Sequence, residues 1–212
     1  MPNDTFFNLP KEKQERIIGA AVCEFARVPF SDASINKIIK DAGISRGSFY
    51  QYFADKEDLF LFIISRISKE KIGIFSQSFD DTSPQELGFI DFCSEPALNR
   101  VFDWAESNRE YSRIGFLMTQ DGSDFIKQTF TKINDQNQIF KIWLENDQKR
   151  GLIRKDADLD VFVDVFFAAS VNLINSYFSG TDRQTVVNKI VSLFDILGKG
   201  VLSEEVRHGR SS

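Results

Sequence analysis

Residues 34–56 read SINKIIKDAGISRGSFYQYFADK, and this stretch decides the fold. It holds two short segments of helical character separated by a single glycine. In the first, Ser34 is the residue type whose hydroxyl caps a helix, Ile35, Ile38 and Ile39 recur at helical spacing, and Gly43 supplies the left-handed residue at which a helix stops. Ser45 caps the second segment. There Phe49 and Phe53, four apart, share one face and anchor against the isoleucines, which leaves Arg46, Gly47, Tyr50 and Gln51 on the other. Two short helices joined by a tight glycine turn form a helix-turn-helix.

Outward from this stretch, apolar residues keep three- and four-residue spacing and no run of strict alternation appears, so the chain reads as all-α. A first helix opens at Pro10, presents Ile17, Ile18, Ala21, Val22 and Phe25 on one stripe, and ends near Arg27 before Pro29. With the next two it makes a three-helix N-terminal domain over residues 1–55. Asp55 and Asp58 have the spacing of a capping box in acidic form, opening a long helix that runs to about Phe79. Asp80 to Pro84 is a polar break. Helical segments follow at about 85–93, 96–107, 110–118, 124–149, 158–179 and 182–202. Residues 56–202 thus form a second helical domain, and 203–212 read as a flexible tail.

Bulk composition narrows the function classes. The net charge of -5 argues against a protein that coats nucleic acid through a broad basic field, so any DNA contact must be local. Cys23 and Cys93 lie in apolar helical stretches and read as free thiols of a reducing compartment. His208 is the only histidine and falls in the tail, which removes the partners that a zinc site or a nucleophilic triad requires. No stretch approaches about 18 uninterrupted apolar residues. The expectation is a cytoplasmic protein without cofactor or metal, and not an enzyme.

The second short helix has the chemistry of a DNA reader. Its first N–H groups and the hydroxyls of Ser45 and Ser48 attract phosphate. Arg46 suits a guanine edge and Gln51 an adenine, while Gly47 lets the backbone approach the groove. Tyr50 and Tyr52 offer phenolic donors to the sugar–phosphate backbone. Lys56 stands at a helix N-terminus, where a cation is unfavourable, and a phosphate partner would explain it. Lys37, Lys40, Arg46 and Lys56 outnumber Asp41 and Asp55 by only two charges, so one copy binds weakly. Two copies about 34 Å apart would bind specifically, which calls for a homodimer on double-stranded DNA.

The order Ser34, Ile38-Ile39, Ala42-Gly43-Ile44-Ser45, Gly47, Phe49-Tyr50, Tyr52-Phe53, Lys56 and Leu59 closely resembles the DNA-binding region of the TetR family of transcriptional regulators. The resemblance implies phosphate contacts from Ser34, Tyr50, Tyr52 and Lys56, and base or groove contacts from Ser45, Arg46, Gly47, Ser48 and Gln51. Tyr52 departs from the pattern, falling where many members carry histidine, so a shared operator sequence is not implied. For the C-terminal part the resemblance implies a ligand and dimer domain whose last two helices pack with their copies as a four-helix bundle. Phe162, Phe166, Ala169, Ile190, Phe194 and Leu197 would lie at that interface, and each also fits an internal core. Phe89, Phe92, Phe102, Trp104, Phe116, Met118, Phe125, Phe140 and Trp143, with Asn172 and Asn175, could line a cavity for an apolar effector, or simply pack. The resulting expectation is a repressor released from its operator by a small, largely apolar ligand. The alternatives are an activator, an effector-independent regulator, or an all-α enzyme or lipid carrier.

Overall fold

The computed structural model describes residues 2–76, 87–136 and 138–199. They are helical, with no strand among the described residues. In chain order the helices are α1 (Asp4–Phe7), α2 (Lys11–Arg27), a 3-10 turn (Phe30–Asp32), α3 (Ile35–Ala42), α4 (Arg46–Tyr52), α5 (Lys56–Ser76), α6 (Phe89–Phe92), α7 (Glu95–Ser107), α8 (Arg109–Gln120), α9 (Asp124–Gln136), α10 (Gln138–Lys149), α11 (Leu159–Phe178) and α12 (Arg183–Lys199). They fall into two compact units, residues 1–77 with 103–136, and residues 78–102 with 137–212. The expected functional boundary near residue 55 therefore lies inside the first unit, because α2 packs against α8 as closely as against α3. The tail 203–212, the helix end near Phe79 and the break at 80–84 lie outside the described residues.

In the first unit, local signals and burial agree. Ser34 and Ser45 accept the amides of Lys37 and Ser48, as N-caps do. Gly43 ends α3 at φ 62°, ψ 40°, a conformation costing other residues about 1–2 kcal/mol. At the start of α5, Asp55 accepts the Asp58 amide at 2.7 Å while Asp58 accepts the Ala54 amide at 3.2 Å, the reciprocal acidic cap the spacing predicts. Ile17, Phe25, Ile38, Phe49, Phe53, Phe60 and Ile63 are fully buried together. Truncating one of these phenylalanines to alanine would cost about 3–5 kcal/mol. A helical turn that periodicity did not reveal, α1, adds Phe6 to this core, against Phe53 at 5.0 Å and Phe62 at 5.5 Å.

The second unit is built round Phe89, fully buried, with Phe166 at 5.1 Å, Phe162 at 5.7 Å and Phe194 at 6.0 Å between ring centroids. Asp158 caps α11 through the Val161 amide, and α11 packs along α12. Asp147 is buried on α10 and accepts the Ile90 amide at 3.0 Å, holding the start of α6. A Cβ on Gly88 would collide with that carboxylate, so glycine is required there by close approach. The helix expected over 124–149 is described as α9 and α10.

Candidate nucleic-acid interface

Helix α4 is seven residues long, too short to persist alone, and the surrounding structure fixes it. Phe49 and Phe53 are fully buried beneath it. At its N-terminus the Ser45 and Ser48 hydroxyls lie 2.8 Å apart, and Ser45 accepts the Ser48 amide at 3.0 Å. At its C-terminus Asn3 donates its backbone N–H to Tyr52 O at 2.9 Å and its side-chain amide to Gln51 O at 3.2 Å. These are carbonyls that the end of a helix leaves unpaired. Sequence reasoning missed this clamp; an asparagine followed by Phe6-Phe7 ahead of Pro10 was the available signal.

What remains on the outside is polar. Arg46, Gly47, Gln51 and Tyr50 are exposed, Tyr50 at 44%. The Arg46 guanidinium reaches Asn36 Oδ1 on α3 at 3.4 Å and lies 5.9 Å from the Tyr50 ring centroid, so the three form one patch. Asn36, exposed on α3, is a member that the sequence pattern did not single out. Behind the patch, α3 is tied to α2 at both ends. Arg16 donates to Ala42 O at 2.9 Å, and the buried Glu24 carboxylate accepts the Ser34 amide at 3.0 Å while pairing with Arg27 at 2.8 Å.

Two residues expected at phosphate from the sequence, Tyr52 and Lys56, make contacts within the protein. Tyr52 is only 4% exposed, packed near Phe6 and Lys13, so it belongs to the support of α4 and not to its open face. Lys56 points its ammonium at protein carbonyls, Phe30 O at 2.8 Å, Ala33 O at 3.1 Å and Ser31 O at 3.4 Å. Those acceptors give a cation at this helix start partners within the protein.

The aromatic residues considered for an effector cavity are divided between the two units. Phe92, Phe140 and Trp143 cluster in the second unit at 5.1–5.6 Å, next to Phe89, while Phe102 packs on Tyr177. Trp104, Phe116, Met118 and Phe125 are in the first unit, where Phe125 lies tilted against Phe30 at 4.4 Å. Asn172 is exposed and Asn175 half-buried on α11. Of the expected dimer residues, Phe166 and Ile190 are 1% and 3% exposed, Phe162 and Phe194 pack round Phe89, and Ala169 and Leu197 are half-buried. The exposed apolar side chains on the same helices are Val161, Val165, Val171 and Ile174 on α11 and Ile196 on α12.

A capped recognition helix with an open arginine–tyrosine–glutamine face, in a helix-turn-helix within an all-helical chain, defines a DNA-binding transcriptional regulator and not an enzyme. Residues 17–63 match the family described as bacterial regulatory proteins, tetR family. An uncharacterized HTH-type transcriptional regulator of Bacillus subtilis, YdgC, is 26% identical over 200 residues, spanning 89% of this chain and 95% of the relative. The solved structure of a TetR family transcriptional regulator from Chloroflexus aurantiacus superposes with TM-score 0.57 at 25% identity, covering 94% of this chain and 98% of that one. The Bacillus subtilis regulator FadR, solved with stearoyl-CoA, gives TM-score 0.68 at 17% identity, covering 89% and 99%; at that identity the likeness is one of fold. Residues 17–63 are thus a DNA-binding domain of the tetR family, and the chain over most of its length is similar to transcriptional regulators that carry it.

Proposed function

We propose that the protein is a homodimeric repressor that leaves its operator when a small, largely apolar ligand binds its C-terminal helices. The observation that carries the DNA half is the outward face of α4, where Arg46, Gly47, Tyr50 and Gln51 stand exposed on a helix held at both ends. Arg46 and Gln51 read base edges, Gly47 admits the groove backbone, and Ser34, Ser45, Ser48 and Tyr50 face phosphates. Asn36 joins them through Arg46.

The dimer half is supported by α11. Its Val161 is 56% exposed and Val165 46%, and Ile196 of α12 is 47% exposed. Among the described residues α11 is also the one helix long and apolar enough to cross a membrane, with mean hydropathy 1.5. Asp160 and Asp164 on that helix, and the 2.7 Å ion pair of Asp160 with Lys141, favour a second protein surface beside it. A copy of α11 and α12 meets that need and supplies the second half-site reader. For the ligand, the aromatic cluster of Phe89, Phe92, Phe140 and Trp143 supplies an apolar interior. The fold likeness to a regulator solved with stearoyl-CoA makes a long acyl chain the first compound to try.

The test is a mobility-shift titration of the promoter fragment upstream of the protein's own gene, with and without stearoyl-CoA. Retention by the wild type, loss in Arg46→Ala and Tyr50→Ala, and release by the acyl compound are expected. Retention unchanged in both variants would sink the DNA assignment; release by no apolar compound would sink the ligand half.

A further inference from the structure

The loop between α2 and α3 is gripped from two directions by residues outside α2–α4. From one side comes Lys56, whose ammonium spends its three N–H donors on the carbonyls of Phe30, Ser31 and Ala33 and lies 4.4 Å from the Phe30 ring centroid. From the other comes the turn between α8 and α9. There the Asp121 carboxylate accepts the Ser31 amide at 2.8 Å and the Ser123 amide at 2.9 Å, and Phe125 at the start of α9 lies tilted against Phe30 with ring centroids 4.4 Å apart. The Phe30 ring also sits 4.9 Å from Phe60 of α5. The loop leads directly into Ser34, the cap of α3, whose own amide is fixed by Glu24.

We propose that Lys56 and Asp121 are positioning residues that clamp residues 30–33 and so set the attitude of α3 and α4 for the operator, Lys56 acting through the loop and not on phosphate. This rests on the operator-binding reading given above and assigns a role within it. A lysine reaching instead for DNA would abandon three carbonyl acceptors in a part-buried loop, of which Phe30 O keeps the Ala33 amide. Because Asp121 and Phe125 stand 90 or more positions along the chain from the loop, the same clamp gives a shift at the α8–α9 turn a direct route to the reading helices.

Charge makes the test decisive. Affinity for the promoter fragment upstream of the protein's own gene is measured against salt for wild type, Lys56→Met, Asp121→Ala and Asp121→Asn. The clamp predicts that Lys56→Met lowers affinity about tenfold at every salt concentration with the slope of log K against log salt unchanged. It predicts that Asp121→Ala weakens binding similarly, although it removes a negative charge, and that Asp121→Asn, which keeps an acceptor, recovers most of the loss. A slope reduced by about 0.9 in Lys56→Met would mark a lost phosphate contact and overturn the proposal. Equal or tighter binding by Asp121→Ala would overturn it as well. Amide hydrogen exchange at Ser31 in DNA-free protein decides the matter separately. The clamp requires an exposed residue with a slow amide in wild type, fast in Asp121→Ala, and a fast amide in wild type rejects it. Failure of the wild type to bind any fragment would count against the operator reading and leave that exchange result standing.

Discussion

The two compact units each leave a helix face uncovered, and the faces differ in chemistry and in how they are held. On α4 the uncovered side chains are Arg46, Tyr50 and Gln51, which water solvates well. On α11 they include Val161, Val165, Val171 and Ile174, which water does not, beside the polar Asp160, Asp164 and Asn172. Exposed apolar area costs about 25 cal/mol per Å², so a stripe on a 20-residue helix, roughly 30 Å long, favours a permanent partner. The polar patch is stable uncovered and suits a partner that comes and goes. The structural support follows the same division: seven-residue α4 borrows rigidity from Asn3, Ser45, Phe49 and Phe53, while α11 has length enough to carry its own face.

The largest effect that would break this contrast comes from charging the apolar face. Val165→Glu, at a site already 46% exposed, should leave each protomer folded but separate the copies, visible by light scattering. With bivalency lost, operator affinity should fall by about 10²–10⁴. A dimer that survives the charge would show that α11 is not the interface. Next comes Arg46→Ala, which should cost about 1–3 kcal/mol of discrimination at one position per half-site while leaving the dimer intact; equal losses across all sequences would mean that Arg46 meets only phosphate. Gly88→Ala sharpens the contrast from inside the second unit. The new methyl meets the Asp147 carboxylate and should lower stability by about 1–3 kcal/mol in thermal unfolding, with no effect on DNA contacts made by α4.

Legibility in the sequence followed the range of each cause. Ser34, Gly43, Ser45 and the Asp55–Asp58 pair act over three or four residues, and each cap is where its spacing puts it. The open face of α4 was legible for the same reason, because the two phenylalanines four apart decide what is left outside. Lys56 and Tyr52 were read by position alone, yet their surroundings come from Phe30, Ala33 and Phe6, whose placement depends on tertiary packing. On α11 the sequence sets Val161 and Val165 one position before Phe162 and Phe166, and periodicity cannot say which pair meets Phe89. The core took the phenylalanines, larger and worth more when buried, and left the valines outside.

The smallest expected effect compares two buried carboxylates, one in each unit. Burial pushes the Asp121 carboxyl up, but the hydrogen bonds from Ser123 and Ser31 outweigh it and hold the group below the usual carboxylate range. For Asp147 burial also pushes upward, and the amides of Ile90 and Phe89 with Arg150 nearby do not compensate, so it stays above that range. The signs then oppose. Asp121 adds stability at neutral pH that is lost as pH falls through its folded pKa, because the unfolded chain takes up the proton first. Asp147 costs stability at neutral pH, and the cost disappears as pH falls past its folded value toward the ordinary one, because here the folded chain protonates first. Asp121→Asn should therefore be less stable than wild type near neutrality and Asp147→Asn more stable, with both differences shrinking as pH falls through the carboxylate range. Trp104 in the first unit and Trp143 in the second allow fluorescence to follow each unit's unfolding in single-tryptophan backgrounds. Differences of the same sign in the two variants would mean that the two carboxylates are held alike, and the electrostatic half of the contrast would be lost.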